Sequence, residues 1–215
     1  MDSKSKYGLE GTTFFVVEDH ALTNLGIRQF LENEAGFICK GFASTKTESF
    51  DKLVELSIMG PSGLPEILVL DLFLGDESGI DILREIKIHF PTIKTVVYSM
   101  YSNPGIVTLL LEIGAEGFVS KAGTEKELLK AIGAVKRGES YIQPTLFASL
   151  KTYQNILDSL TKNERFILNK IIERKTVEQI SELLEVSETA VQSLLSRILS
   201  KTGSKTQKDL ITQFG

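Results

Sequence analysis

With 215 residues, 42% hydrophobic and 24% charged, and a formal net charge of −4, the chain is long enough for one large globular domain or two unequal ones. No apolar run approaches the roughly 20 residues that a membrane span requires, Met1 to Gly11 is polar without a signal-peptide core, and the single cysteine, Cys39, excludes an intrachain disulfide framework and a cysteine-ligated zinc site. A cytoplasmic protein is expected, with an acidic body (residues 1–154, 15 Lys+Arg against 20 Asp+Glu, net −5) and a near-neutral tail (residues 155–215, 9 against 8, net +1).

Thr12 to Val17 (TTFFVV), β-branched and aromatic, predicts a first strand ending on the acidic pair Glu18-Asp19. Ala21 to Glu34 follows as an amphipathic helix stopped by Gly36, and Phe37 to Ala43 as a second strand. Thr47 to Met59 reads as a second helix, ended by the turn Gly60-Pro61-Ser62-Gly63. Ile67 to Leu70 is an apolar run short enough for a buried strand, and it closes on a single acid, Asp71. Gly79 opens a helix that Pro91 stops, and Lys94 to Ser99 is a fourth strand. Asn103-Pro104 starts a helix that runs to Ile113, Gly117 to Val119 is a short fifth strand followed by Ser120-Lys121, and Thr124 to Lys136 is a helix closed by Gly138. Five strands alternating with five helices predict an α/β fold, a doubly wound five-stranded parallel sheet covered on both faces.

Residues 138–159 break the period and read as a linker with a short helix near residues 145–153. Beyond it, Lys162 to Glu173, Val177 to Leu184, Glu188 to Lys201 and Thr206 to Phe214 predict a small all-α unit. Glu185-Val186-Ser187 has the length of a helix-turn-helix turn, with Ser187 as N-cap of the helix after it.

Alone, Asp71 is most simply a loop cap. A parallel sheet changes that reading, because all its strands deliver their carboxyl ends to one edge. Glu18, Asp19, Asp71, Ser99 and Lys121 then converge although they are scattered in sequence. Three carboxylates so close repel one another unless a hard cation lies among them, and Mg²⁺ suits a few carboxylates together with phosphate oxygens. A lysine as a point charge and a serine hydroxyl complete a set suited to transfer of a phosphoryl group onto Asp71.

With Gly79 eight residues after the acid and Phe118 three before the lysine, this pattern resembles bacterial response-regulator receiver domains over about residues 11–137. Leu160-Thr161, Glu164, Leu168, Ile180, Val191 and Lys201 likewise resemble the LuxR-type helix-turn-helix of the NarL/FixJ subfamily of two-component response regulators. The resemblance implies a flavodoxin-like sheet of order 2-1-3-4-5, a receiver over residues 1–137, a linker over 138–159 and a helix-turn-helix DNA-binding domain over 160–215. It implies Asp71 as phosphoacceptor, and Mg²⁺ held by Glu18, Asp19, Asp71 and the backbone carbonyl of Phe73. Ser99 and Lys121 would bind the phosphoryl group and Phe118 would follow Ser99 as an aromatic switch. Phe73 and Tyr101 stand at the positions that gate the attacking water, and their bulk implies slow dephosphorylation.

The implied protein is a regulator of transcription and not an enzyme, with no membrane association. Its partners would be a sensor histidine kinase or small phosphodonor and double-stranded DNA, with a homodimer on phosphorylation as one output. The DNA contacts carried over are Thr189, Gln192, Ser193, Arg197 and Lys201, with Lys205 and Lys208 for phosphates. The chain departs from the family pattern at Arg174, usually Gly; Gln192, usually basic; Leu194, usually His; and Gln207, usually Arg. Leu194 reads equally as core or as an exposed dimer contact. The lost cations leave a second reading open, in which the C-terminal helices mainly serve protein interaction or dimerisation with weak or no DNA binding. An aspartyl-phosphate phosphatase is disfavoured, because Phe73 stands where such enzymes place a second Asp.

Overall fold

The computed structural model describes residues 9–60 and 62–214; Met1–Gly8, the Pro61 of the predicted turn and Gly215 lie outside the described residues. In chain order the elements begin with β1 (Thr13–Val17), α1 (Ala21–Ala35), β2 (Ile38–Ala43), α2 (Lys46–Ile58) and β3 (Ile67–Leu70). There follow β4 (Phe73–Leu74), β5 (Glu77–Ser78), α3 (Gly79–His89), β6 (Lys94–Ser99), α4 (Pro104–Ile113), β7 (Gly117–Ser120), α5 (Glu125–Lys136) and β8 (Tyr141–Ile142). Five further helices are α6 (Phe147–Ser159), α7 (Lys162–Ile172), α8 (Val177–Leu184), α9 (Glu188–Thr202) and α10 (Gln207–Phe214). The chain divides into two compact units, one built on residues up to Ser102 together with Leu109–Pro144, the other on Asn103–Thr108 and Thr145 onward.

The first unit is a parallel sheet of order β2-β1-β3-β6-β7-β8, whose first five strands follow the expected 2-1-3-4-5. Every residue of β3 is buried, as a strand covered on both faces demands. One face packs Phe14, Val16, Ile67, Val69, Val96 and Val119 against Leu31 of α1 and Leu128 and Ile132 of α5. Cys39 is half-buried on β2, its thiol donating to the Gly41 carbonyl at 3.5 Å.

Two features go beyond the sequence reading. Residues 73–78 form a small antiparallel hairpin, β4 with β5, directly after Asp71. Residues 138–159, expected as a linker, are structured over most of their length. Tyr141 and Ile142 extend the sheet as a sixth parallel strand against Gly117 and Phe118. Helix α6 is longer than expected because Tyr153, Ile156 and Leu157 form a stripe at helical spacing that packs on the core of the second unit.

That second core gathers Ile167, Leu168 and Ile171 of α7, Ile180 of α8, Val191, Leu195 and Ile198 of α9, and Leu210 and Phe214 of α10. Its helices are closed by side chains: Thr161 and Glu164 form a capping box on α7, Thr176 and Gln179 one on α8, and Ser187 accepts the Ala190 amide at 3.2 Å as N-cap of α9. Helix α7 ends in a left-handed turn at Arg174 (φ 62), where the Arg174 amide bonds the Ile171 carbonyl and the Lys175 amide that of Lys170, both at 2.9 Å. This conformation disfavours an L side chain, and it accounts for the glycine that the family pattern carries there. Arg174→Gly is expected to stabilise the chain by about 0.5–1 kcal/mol, seen as a higher urea midpoint at unchanged slope. An equal or lower midpoint would contradict this.

Candidate functional site

Glu18, Asp71 and Lys121 are each the first residue past a buried strand, Ser99 is the last residue of its own, and the backbone ladder still holds the first three. The Glu18 amide bonds the Ala43 carbonyl at 3.0 Å, the Asp71 amide that of Val17 at 2.9 Å, and the Lys121 amide that of Ser99 at 2.9 Å. Parallel pairing therefore fixes where these side chains emerge before any of them interacts.

Lys121 is the centre of the arrangement. Its ammonium donates to Asp71 Oδ2 at 2.6 Å and to Glu18 Oε2 at 2.5 Å, with the Glu18 side chain 1% exposed and that of Asp71 8%. Burial by itself would depress the Lys121 pKa, but the bonds from Asp71 and Glu18 outweigh it and hold the ammonium above the ordinary lysine value. The other Asp71 oxygen, Oδ1, accepts the Leu72 amide at 2.7 Å. Both carboxylate oxygens of Asp71 are thus engaged, one by a charge that can leave and one by the backbone.

Asp19 is more open, and its Oδ1 lies 2.8 Å from the His20 ring nitrogen. Ligand atoms of Glu18, Asp19 and His20 lie within 4.8 Å of one another. Ser99 is fully buried, its Oγ accepting the Tyr101 amide at 3.4 Å, and Phe118 is fully buried in β7. Asp71, Ser99 and Lys121 line an open cleft of about 530 Å³ together with His20, Phe73, Tyr98 and Tyr101. The Phe73 and Tyr101 rings stand 4.0 Å apart, centroid to centroid, at 38°. Gly79 is required by close approach: a Cβ there would fall 2.3 Å from the Asp71 carbonyl oxygen and 2.6 Å from Leu72 Cα.

Sequence reasoning singled out neither Tyr98, whose ring lies 6.0 Å from the Lys121 ammonium, nor His20 as a site residue. Nothing in β6 singles out Tyr98, because the strand is buried continuously from Thr95 to Ser99.

In the second unit Thr189, Gln192, Ser193 and Arg197 are exposed along α9, and Lys205 is exposed beyond it. Their spacing places the first three on one face, with Arg197 a turn further on. Leu194 is half-buried against the core. Lys201 differs from its neighbours, because its ammonium donates to the Ser159 carbonyl at 2.9 Å and to the buried Glu164 carboxylate at 2.7 Å. The Lys201 bond, then the Thr161 amide, hold the Glu164 carboxyl below the usual carboxylate range. A depressed carboxyl contributes stability that is complete above its unfolded pKa and is lost as pH falls through the lower folded value. Lys201→Met is therefore expected to lower stability at neutral pH by about 1.5–3 kcal/mol, read from the urea midpoint and slope, and to lower it less in acid. An equal loss at both pH values would sink this account.

Fold and site together define a two-domain regulator, an α/β receiver followed by a helix-turn-helix unit, and not an enzyme. The family described as "Response regulator receiver domain" matches residues 14–133, and "Sigma-70, region 4" matches residues 150–201. The chain is 26% identical to the DNA-binding transcriptional activator DevR/DosR of Mycobacterium tuberculosis, over 88% of this chain and 87% of that one. It is 24% identical to the response regulator protein VraR of Staphylococcus aureus, over 86% and 87%. Among solved structures, the complex of the two-component response regulator RcsB with DNA superposes with a TM-score of 0.71 at 26% identity, covering 95% of this chain and 98% of that one. RcsB from Salmonella enterica serovar Typhimurium, bound to promoter rprA in the presence of phosphomimetic BeF₃⁻, gives 0.71 at 25% identity, covering 95% and 98%. The chain belongs to the response regulator receiver family.

Proposed function

We propose that this chain is a phosphorylation-switched transcriptional regulator of a two-component system, taking a phosphoryl group on Asp71 and binding double-stranded DNA through α9. The observation that carries the reading is the buried Asp71 carboxylate at the sheet edge, paired with a lysine that it shares with Glu18. The relatives named as a DNA-binding activator and solved on DNA support the second half.

In the reaction an Asp71 carboxylate oxygen bonds to the phosphorus of a sensor kinase's phosphohistidine, or of a small acyl phosphate. The P–N or P–O bond of the donor breaks, and its electron pair leaves with the imidazole or the carboxylate. Lys121 transfers its ammonium from the carboxylates to a phosphoryl oxygen, Ser99 donates its hydroxyl to another, and Phe118 follows into the space behind Ser99. The donor set fits Mg²⁺: Glu18, Asp19, Asp71 and the Phe73 carbonyl are all hard oxygen ligands, and the Lys121 bridge is a sign of how strongly the carboxylates call for positive charge. When bound, the ion would offset the negative charge of the phosphoryl oxygens.

Residues 1–137 carry the receiver chemistry, residues 160–215 the DNA-binding unit, and residues 138–159 join them. Thr189, Gln192, Ser193 and Arg197 are the contacts on α9, with Lys205 beyond it for phosphate. Lys201 reaches DNA only by leaving Glu164. A homodimer is one form that the phosphorylated chain would take. The cytoplasm is the place of action, and no helix among the described residues is long and apolar enough to cross a membrane.

The test is incubation with Mg²⁺ and acetyl phosphate. Wild type is expected to incorporate phosphate and shift duplex DNA, Asp71→Asn to incorporate none, and Arg197→Ala to incorporate phosphate yet bind DNA more weakly. Incorporation unchanged in Asp71→Asn would overturn the reading. Phe73 and Tyr101, stacked beside the cleft, are expected to slow attack of water on the acyl phosphate. Truncating both to Ala should shorten the phosphorylated half-life about tenfold, about 1.4 kcal/mol of barrier, and an unchanged half-life would remove them from the chemistry.

A further inference from the structure

Gln143 is buried, 6% exposed, although it lies on the segment by which the chain leaves the sheet. The pairing of β8 with β7 ends at Phe118 with Ile142, and the Gln143 amide then bonds the Phe118 carbonyl at 3.1 Å. Pro144 follows and breaks the strand pattern. The Ser120 amide, two residues past the last pair, meets no backbone acceptor there; it donates instead to the Gln143 side chain, Oε1, at 2.8 Å. The other end of that side chain is also fitted to the loop. A Cβ on Gly123 would lie 2.7 Å from Gln143 Nε2, so residues 120–123 are shaped around the amide.

Ser120 immediately precedes Lys121, and the Lys121 amide is tied on its other side to the Ser99 carbonyl. The backbone that carries the site's lysine is therefore pinned at two points. One is on the strand that holds the site hydroxyl. The other is on the first residues of the connection to the C-terminal helices.

We propose that Gln143 is a positioning residue for Lys121, and that its bond to Ser120 passes the state of Asp71 to the segment leading to α6. The inference rests on the reading of Asp71 as phosphoacceptor. When Lys121 and Ser99 move to a phosphoryl group, the Ser120 amide moves with them, and Gln143 and the residues after it must follow or lose the bond. Buried amides are costly to leave unpaired, so following is the cheaper course.

The experiment uses the full chain with Mg²⁺ and acetyl phosphate, measuring phosphate uptake and amide hydrogen exchange. Gln143→Met keeps side-chain length and removes the acceptor, and Gln143→Glu keeps an oxygen at the same place. Gly123→Ala displaces the amide without altering it. In Gln143→Met and Gly123→Ala, uptake is expected to slow about tenfold and exchange at Ser120 to accelerate, with Gln143→Glu recovering most of the rate. In wild type, phosphorylation is expected to change exchange over Ile142–Leu146, and in Gln143→Met this response disappears. Wild-type rates in Gln143→Met and Gly123→Ala, with the exchange response of residues 142–146 intact, would overturn the inference while leaving Asp71 as acceptor. A wild-type chain that takes up no phosphate overturns the reading of Asp71 and this inference with it.

Discussion

Lys121→Met is expected to lower the stability of the chain by about 3–5 kcal/mol in the absence of divalent metal, the usual cost of removing one partner from a buried ion pair. Glu18 and Asp71 are both almost wholly buried, and one ammonium, at 2.5 and 2.6 Å, balances the two. Methionine fills the same volume and supplies no charge, so two carboxylates would face each other in a low-dielectric pocket. Mg²⁺ among the carboxylates would restore stability, by about 2.7 kcal/mol at a hundredfold excess over Kd. Urea midpoints in chelator and in Mg²⁺ measure both effects. A variant as stable as wild type in chelator would show that Lys121 is not what holds the carboxylates together.

The same pair shows why so much of the site could be read from sequence. Asp71, Glu18 and Lys121 are separated by 50 and 103 residues from one another along their two bonds, yet they were placed together by one rule, that parallel strands end at a common edge. The rule needs only the strand ends, and uniform apolar runs such as Ile67–Leu70 mark those well. It fails for elements too short to have a period. Hairpin β4–β5 and strand β8 have two residues per strand, and nothing in Phe73-Leu74 or Tyr141-Ile142 separates them from loop. It also fails for side chains whose role depends on a partner elsewhere. Lys201 looks like any basic residue on a DNA-facing helix until Glu164, 37 residues earlier, is found buried beneath it. A glutamine before a proline gives no sign that it completes a strand ladder.

Gly79→Ala joins both kinds of information, and its expected effect on the chemistry is large although the residue takes no part in it. Its position eight residues after Asp71 was part of the sequence pattern, but spacing alone does not say why glycine is there. The start of α3 passes directly against the backbone that it left: the Gly79 amide bonds the Leu72 carbonyl at 2.8 Å. A methyl group there would lie 2.3 Å from the Asp71 carbonyl oxygen and 2.6 Å from Leu72 Cα. Both are main-chain atoms, so no rotamer change relieves the contact, and the segment from Asp71 to Leu72 or the end of α3 has to move. Overpacking of this kind costs about 1–3 kcal/mol, which a receiver of this size survives. The chemistry is less tolerant, because the Leu72 amide is what fixes Asp71 Oδ1 at 2.7 Å and Lys121 holds Oδ2 at 2.6 Å. A displacement near 1 Å in a reacting group costs about a hundredfold in rate, so phosphate uptake from acetyl phosphate should fall by about that factor while the chain remains folded by circular dichroism. Uptake at the wild-type rate in a folded Gly79→Ala chain would mean that the loop relaxes away from α3 without carrying Asp71 with it.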